Sequence, residues 1–197
     1  MKNSIDSFYH NYKEEAANPA FLDDWAYYIQ ALIHLSEATG NNQYLNKAKC
    51  YTEKVFKDFK DEETNLFFYT PVWQTDIIVR KKEVYDGATP ASNSVMAWNL
   101  HYLSIVFDNK KWKTQSMEMV KTISNKMLHY PTSFANWSCL FQQLVNGTHE
   151  IVVSGTDAQL TTKNILTHYC PNKVLQNQFF SAEEFPLFKN RWNNLGK

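Results

Sequence analysis

Two stretches of this sequence carry the same helical grammar a constant 68 residues apart, and that recurrence limits the fold more than any other feature. In the first stretch Phe21, Trp25, Ile29, Leu32 and Ser36 mark one stripe, widened by Leu22, Tyr28, Ile33 and Leu35. The 3.6-residue period predicts a helix with a buried face. Thr39-Gly40 ends it, because glycine after the last periodic residue supplies a left-handed cap. Asn41 or Asn42 then caps a second helix with Tyr44, Leu45, Ala48, Tyr51, Val55, Phe56 and Phe59 inward. So short a connection makes the two an antiparallel hairpin. In the second stretch Leu100 falls on Leu32, Leu103 on Leu35, Asn109 on Asn41, Trp112 on Tyr44, Val120 on Thr52, Ile123 on Val55 and Met127 on Phe59. Helical hairpins that cannot bury their own faces must stack on neighbours, which predicts a solenoid or a closed ring of helix pairs.

The remaining segments are arranged around these pairs. Residues 4 to 16 have weak helical character, stopped at Asn18-Pro19 because the residue before proline is pushed out of the α region. Leu66 to Thr70 and Ile77 to Val79, around Pro71, predict a short β-hairpin or two extended arms. Thr132 or Ser133 is expected to cap a fifth helix with Phe134, Trp137, Leu140, Phe141 and Leu144 inward, ending at Asn146-Gly147. Glu150 to Val153, the Gly155-Thr-Asp157 turn, a helix to about Tyr169 and Lys173 to Leu175 then read as a β-α-β unit. The apolar residues of the tail, Phe179, Phe180, Phe185, Pro186 and Trp192, predict that it packs down. The expected fold is mainly α in one domain over 1–197, with helical hairpins over 1–148 and a small α/β extension over 149–197.

Charge and composition exclude several functions. Twenty Lys and Arg balance twenty Asp and Glu with no long block of either sign, so no footprint for nucleic acid or an anionic membrane is present. Cys50, Cys139 and Cys170 are widely spaced and form no C-x-x-C, which predicts a reduced, cytoplasmic protein. The first residues lack an apolar leader core, and no window reaches the ~18 apolar residues of a membrane span. The sequons at Asn136 and Asn146 therefore carry no expected role. The six histidines have no H-x-x-x-H or H-E-x-x-H spacing, and G-x-G-x-x-G, Walker and G-x-S-x-G motifs are missing. No metal and no cofactor are expected.

Polar chemistry concentrates between Glu83 and Asn99, in EVYDGATPASNSVMAWN, at the start of the third helix. Glu83 and Asp86 are the candidate catalytic pair, because glycoside chemistry uses two carboxylates as acid and base. Asp beside Gly87 is equally an ordinary turn device, and Glu83 equally an ion-pair partner for Arg80 or Lys82. Asp24, Tyr85, Thr89, Asn93 and Trp137 are the candidate sugar-binding residues. Each has a plainer role: Asp23 and Asp24 complement a helix dipole, Ser92, Asn93 or Ser94 caps the third helix, and Trp137 and Tyr85 are ordinary core aromatics.

Ala20-Phe-Leu-Asp-Asp-Trp-Ala26, Glu37-Ala-Thr-Gly40, Ile78 to Pro90 and Asn93-Ser94 resemble the C-terminal helical region of the spermatogenesis-associated, thioredoxin-domain-containing protein family. The resemblance runs from about Ala20 to Lys197 and is most specific over Tyr85 to Asn93. It implies a partial (α/α) toroid of the six-hairpin glycosidase type, similar to the N-acylglucosamine 2-epimerases, in which the Tyr85–Asn93 loop lines a pocket. The family's thioredoxin-like domain, its first hairpins and its cysteine-bearing final segment have no counterpart here. Where the family reads Pro-Ser-Gly-Asn-Ser, this chain has Pro90-Ala-Ser-Asn-Ser94, adding a side chain at Ser92. Epimerases of that fold use histidine pairs, for which this chain offers His34 or His101, neither within a matching phrase. The implied activity is carbohydrate-directed, as sugar binding, isomerisation or hydrolysis, with a small sugar as ligand. The alternative is a non-catalytic interaction domain that completes its ring through oligomerisation or a partner chain.

Overall fold

A computed structural model describes residues 8–13, 15–16, 18–178 and 185–188. The chain is mainly helical, with a small two-stranded parallel sheet. The first hairpin is α1 (Leu22–Thr39) and α2 (Asn42–Phe59), and the second is α3 (Ser92–Val106) and α4 (Lys110–His129). α5 (Ala135–Asn146) follows a single 3₁₀ turn over Pro131–Phe134. α1 packs on α3 and α3 on α5, while α2 packs on α1 and α4 on both α3 and α5. This order puts α3 at the centre. Only Trp98, Tyr102 and Ile105 of its residues escape full burial.

The periodic stripes form these helices for the expected reasons. Gly40 ends α1 at φ 69°, its N–H donating to the Ser36 carbonyl at 2.8 Å. A side chain there would also collide with the Asn177 amide, so glycine is required twice over. Asn41 Oδ1 accepts the Gln43 N–H at 3.0 Å, and its repeat partner Asn109 accepts those of Lys111 and Trp112 at 3.1 and 3.2 Å. Leu32 and Leu100, Val55 and Ile123, and Phe59 and Met127 are buried in both copies. Leu35 breaks the match, being 43% exposed where Leu103 is buried.

Before the hairpins, β1 (Tyr12–Lys13) pairs antiparallel with β2 (Glu15–Ala16), where a weak helix was expected; residues 4–7 lie outside the described residues. The expected β-hairpin around Pro71 is instead a loop, braced by one bridge between Lys60 and Phe67. The Asn93 side chain takes both backbone groups of Phe67, and a strand ladder would need those same groups. Neither Thr132 nor Ser133 caps α5, and Phe141 is half exposed rather than inward.

The β-α-β unit forms as the sequence predicts, from β3 (His149–Ser154), α6 (Ala158–Leu166) and β4 (Lys173–Gln178) in parallel register. It sits at the C-terminal end of α1. Tyr102 Oη, with one proton to donate, lies 3.0 Å from the Glu37 carboxylate and 2.8 Å from the Leu175 carbonyl, and Asn177 donates to the Glu37 carbonyl at 2.8 Å. Val174, Phe185, Leu187 and Phe188 join the same apolar core as the hairpins. The tail residues Phe179, Phe180 and Trp192 lie outside the described residues. No helix among the described residues is long and apolar enough to cross a membrane.

Candidate functional site

At the opposite end, where α1 and α3 begin, a cavity of about 610 Å³ opens between the helix starts and the loop from Lys81 to Ser92. Asp23 and Tyr27 of α1, the loop itself and Lys126 of α4 form its wall. The loop is fixed from behind. Asn93 accepts the Phe67 N–H at 2.8 Å and donates to the carbonyls of Phe67 and Glu83, both at 2.9 Å. The Trp137 indole donates to the Val84 carbonyl at 2.9 Å, and Tyr27 Oη donates to the Pro90 carbonyl at 2.8 Å. A loop pinned at Glu83, Val84 and Pro90 holds its residues between in a fixed place.

Asp86 is the hub of the corner. One carboxylate oxygen accepts the Ala91 N–H and the Ser94 hydroxyl, both at 2.9 Å, and the other accepts the Asn136 N–H at 2.9 Å. Charge-assisted bonds of this kind are the strong ones, and three of them tie the loop to α3 and α5 at once. Asp86 braces the start of α3 through the boundary residue Ala91 and the Ser94 hydroxyl but takes no N–H of the first turn, where the expected caps Ser92, Asn93 and Ser94 all lie. Both of its oxygens are engaged in these three bonds, and Asp86 is not among the residues that line the cavity.

The other expected site residues divide. Glu83, Tyr85 and Thr89 line the cavity. Asn93 and Trp137 do not; both are fully buried and serve the loop through backbone contacts. Asp24 also lies outside the wall, its carboxylate accepting the Phe21 N–H at 2.8 Å and meeting His10 Nδ1 at 2.8 Å. Neither ion pair expected of Glu83 forms: Lys82 bonds Asp61, and Arg80 donates to the Thr70 carbonyl at 2.6 Å.

The residue that sequence reasoning passed over is Asp23. It lines the cavity beside Glu83, while Tyr69 Oη donates to it at 3.2 Å. Although Glu83 is exposed, partial desolvation at the cavity wall raises its carboxyl, and the Asp23 charge raises it further. Desolvation and the Asp23 charge, in the same order, push up the Tyr69 hydroxyl. The two carboxylates lie 60 positions apart, so no spacing rule pairs them. Tyr85 is 61% exposed, with its ring 4.9 Å from that of Phe134. His10, Asp23 and Asp24 bring ligand-type atoms within 4.8 Å of one another. The Asp24 N–H and Tyr69 Oη each donate to Asp23, and the Phe21 N–H and His10 meet Asp24.

No protein-family model matches the chain. It is 29% identical over 189 residues to spermatogenesis-associated protein 20 of Rattus norvegicus, covering 89% of this chain and 24% of that protein. The protein of the same name in Homo sapiens is 27% identical over 169 residues, or 82% of this chain and 22% of its own length. An uncharacterised protein of Caenorhabditis elegans is 27% identical over 136 residues, covering 69% and 18%. These homologues support the family named for spermatogenesis-associated protein 20. The chain spans about a quarter or less of the length of the curated relatives it matches.

Proposed function

We propose that this chain is a carbohydrate-directed section of an (α/α) toroid whose helix-start cavity takes a small sugar. The observation that carries the reading is the pair of carboxylates, Asp23 and Glu83, in one cavity wall, with Glu83 raised. Carboxylates accept from sugar hydroxyls, and a pair whose environments separate their proton affinities is the usual basis of acid and base roles. In this reading Glu83 is the group that keeps its proton to higher pH, with Asp23 as its neighbour in the wall. The exposed Tyr85 ring offers a stacking face, and Thr89 a further hydroxyl. The test is calorimetric titration of the chain with a panel of monosaccharides and N-acylhexosamines. At least one is expected to bind saturably and to lose binding in Glu83→Gln and in Asp23→Asn; no binding by any of them retires the reading.

A second observation favours the interaction reading. Met117 of α4 and Phe141 and Val145 of α5 are each about half exposed or more and line an apolar groove of about 330 Å³. Apolar patches of this kind mark interaction surfaces when they are contiguous. Light scattering decides whether a second copy fills the groove: a dimer that Val145→Lys dissociates supports it, and a strict 23.1 kDa monomer overturns it.

A further inference from the structure

The helix starts that border the cavity are not equivalent. At the 68-residue offset, Asp23 and Asp24 of α1 fall on Ala91, the residue just before α3, and on Ser92, its first. α1 thus carries its own carboxylates in the first turn, whereas α3 has no acidic residue there and no side-chain cap from Ala91. The start of a 15-residue helix is a centre of partial positive charge, with N–H groups that need acceptors.

A second observation concerns Ser92 itself. It lies in the cavity wall, is only 1% exposed, and its Oγ has no hydrogen-bond partner. A buried hydroxyl without a partner is a cost that most structures avoid, and the oxygen of a bound ligand would remove it. Lys81 and Lys126 add positive charge to the same wall, and Lys82 is taken by Asp61.

Three carboxylates stand against a free anion here. Asp86 already accepts from Ala91, Ser94 and Asn136, and Asp23 and Glu83 line the wall. A ligand that presents hydroxyls to those acids and an anionic group to the start of α3 satisfies both halves of the cavity, where a simple ion satisfies only one.

We infer that the ligand is an acidic sugar, bearing a phosphate or carboxylate group received by Ser92 and the first turn of α3. This rests on the sugar reading of the same cavity. The experiment is titration of the full chain at low salt with four ligands: a neutral hexose, its phosphate monoester, the corresponding uronic acid, and inorganic phosphate. One acidic sugar is expected to bind at least ~10-fold more tightly than the neutral one. That advantage is expected to shrink as salt is raised, and the ratio of acidic to neutral sugar affinity to fall in Lys126→Glu and in Ser92→Ala. The phosphate ester and uronic acid arms identify which anion is meant. Equal affinity for neutral and acidic sugars overturns this inference and leaves the sugar reading standing. Binding of inorganic phosphate with no sugar of any form overturns both, as does binding of none of the four.

Discussion

The hairpins α1–α2 and α3–α4 bury matching positions, Ser36 and Ser104 among them, yet their inner helices differ at most of their polar positions. Position by position, Trp25 stands where the second copy has Asn93, Ile33 where it has His101, and Asp23-Asp24 where it has Ala91-Ser92. Both members of the first two pairs, Trp25 with Asn93 and Ile33 with His101, are buried. The comparison teaches that the apolar repeat sets the frame, while departures from it place buried polar groups in α3. α3 is the helix in contact with α1, α4 and α5, so polar groups there can tie several elements together.

The largest effect that tests this contrast is expected from Asn93→Ala. It strands the N–H and carbonyl of Phe67 and loses the bond to the Glu83 carbonyl, at about 4 kcal/mol in urea unfolding. Trp25→Ala should cost a similar ~4 kcal/mol through the void it leaves. The two should separate in limited proteolysis: only Asn93→Ala frees the 60–91 loop, and equal protection of that loop in both variants breaks the contrast.

The next effect is acid sensitivity from His101. Burial, helped by Lys113, lowers this imidazole to about 4, and Nε2 lies 2.8 Å from Thr148 Oγ1 while Nδ1 has no partner. A folded value below the unfolded one means that the unfolded chain binds more protons between them. The contribution of His101 is therefore complete above about pH 6.5 and lost as the pH falls toward 4, by about 3 kcal/mol in all. His101→Ile, which copies the first hairpin, should remove that slope from stability measured against pH. An unchanged slope would show that the residue is not the source.

Smaller effects sharpen the likeness of the two copies. Asn41→Ala and Asn109→Ala should each cost about 1 kcal/mol, since each removes the same kind of helix cap. Unequal losses would show that the turns are alike only in sequence. Smallest is Glu83→Gln, expected to leave stability within ~0.5 kcal/mol because the side chain is exposed, while abolishing sugar binding. A large loss of stability there would reveal a structural role for Glu83.

Helix positions were legible because periodicity and caps are local. Gly40, Asn41 and Asn109 act as their positions predict, and the alternation of grammar after Asn146 marks the β-α-β unit. The segment from 60 to 91 was not legible. Its backbone partners include the side chain of Asn93, the indole of Trp137 and backbone groups of α1 and of the turn before α5, elements beyond the segment itself, so its apolar runs imitate strands without forming them. The site was half legible. Glu83, Tyr85 and Thr89, which share one phrase, line the cavity, whereas Asp86 and Asn93 share it too and hold the loop in place.

The sequence by itself determined the paired helices, their repeat and the small parallel sheet, because each follows from residues within a few turns of one another. The tertiary structure alone decided which acids face open space. Bringing Asp23 beside Glu83 and turning Asp86 inward depends on how α1, α3 and α5 meet, and a carboxylate's role follows from the neighbours that packing assigns it.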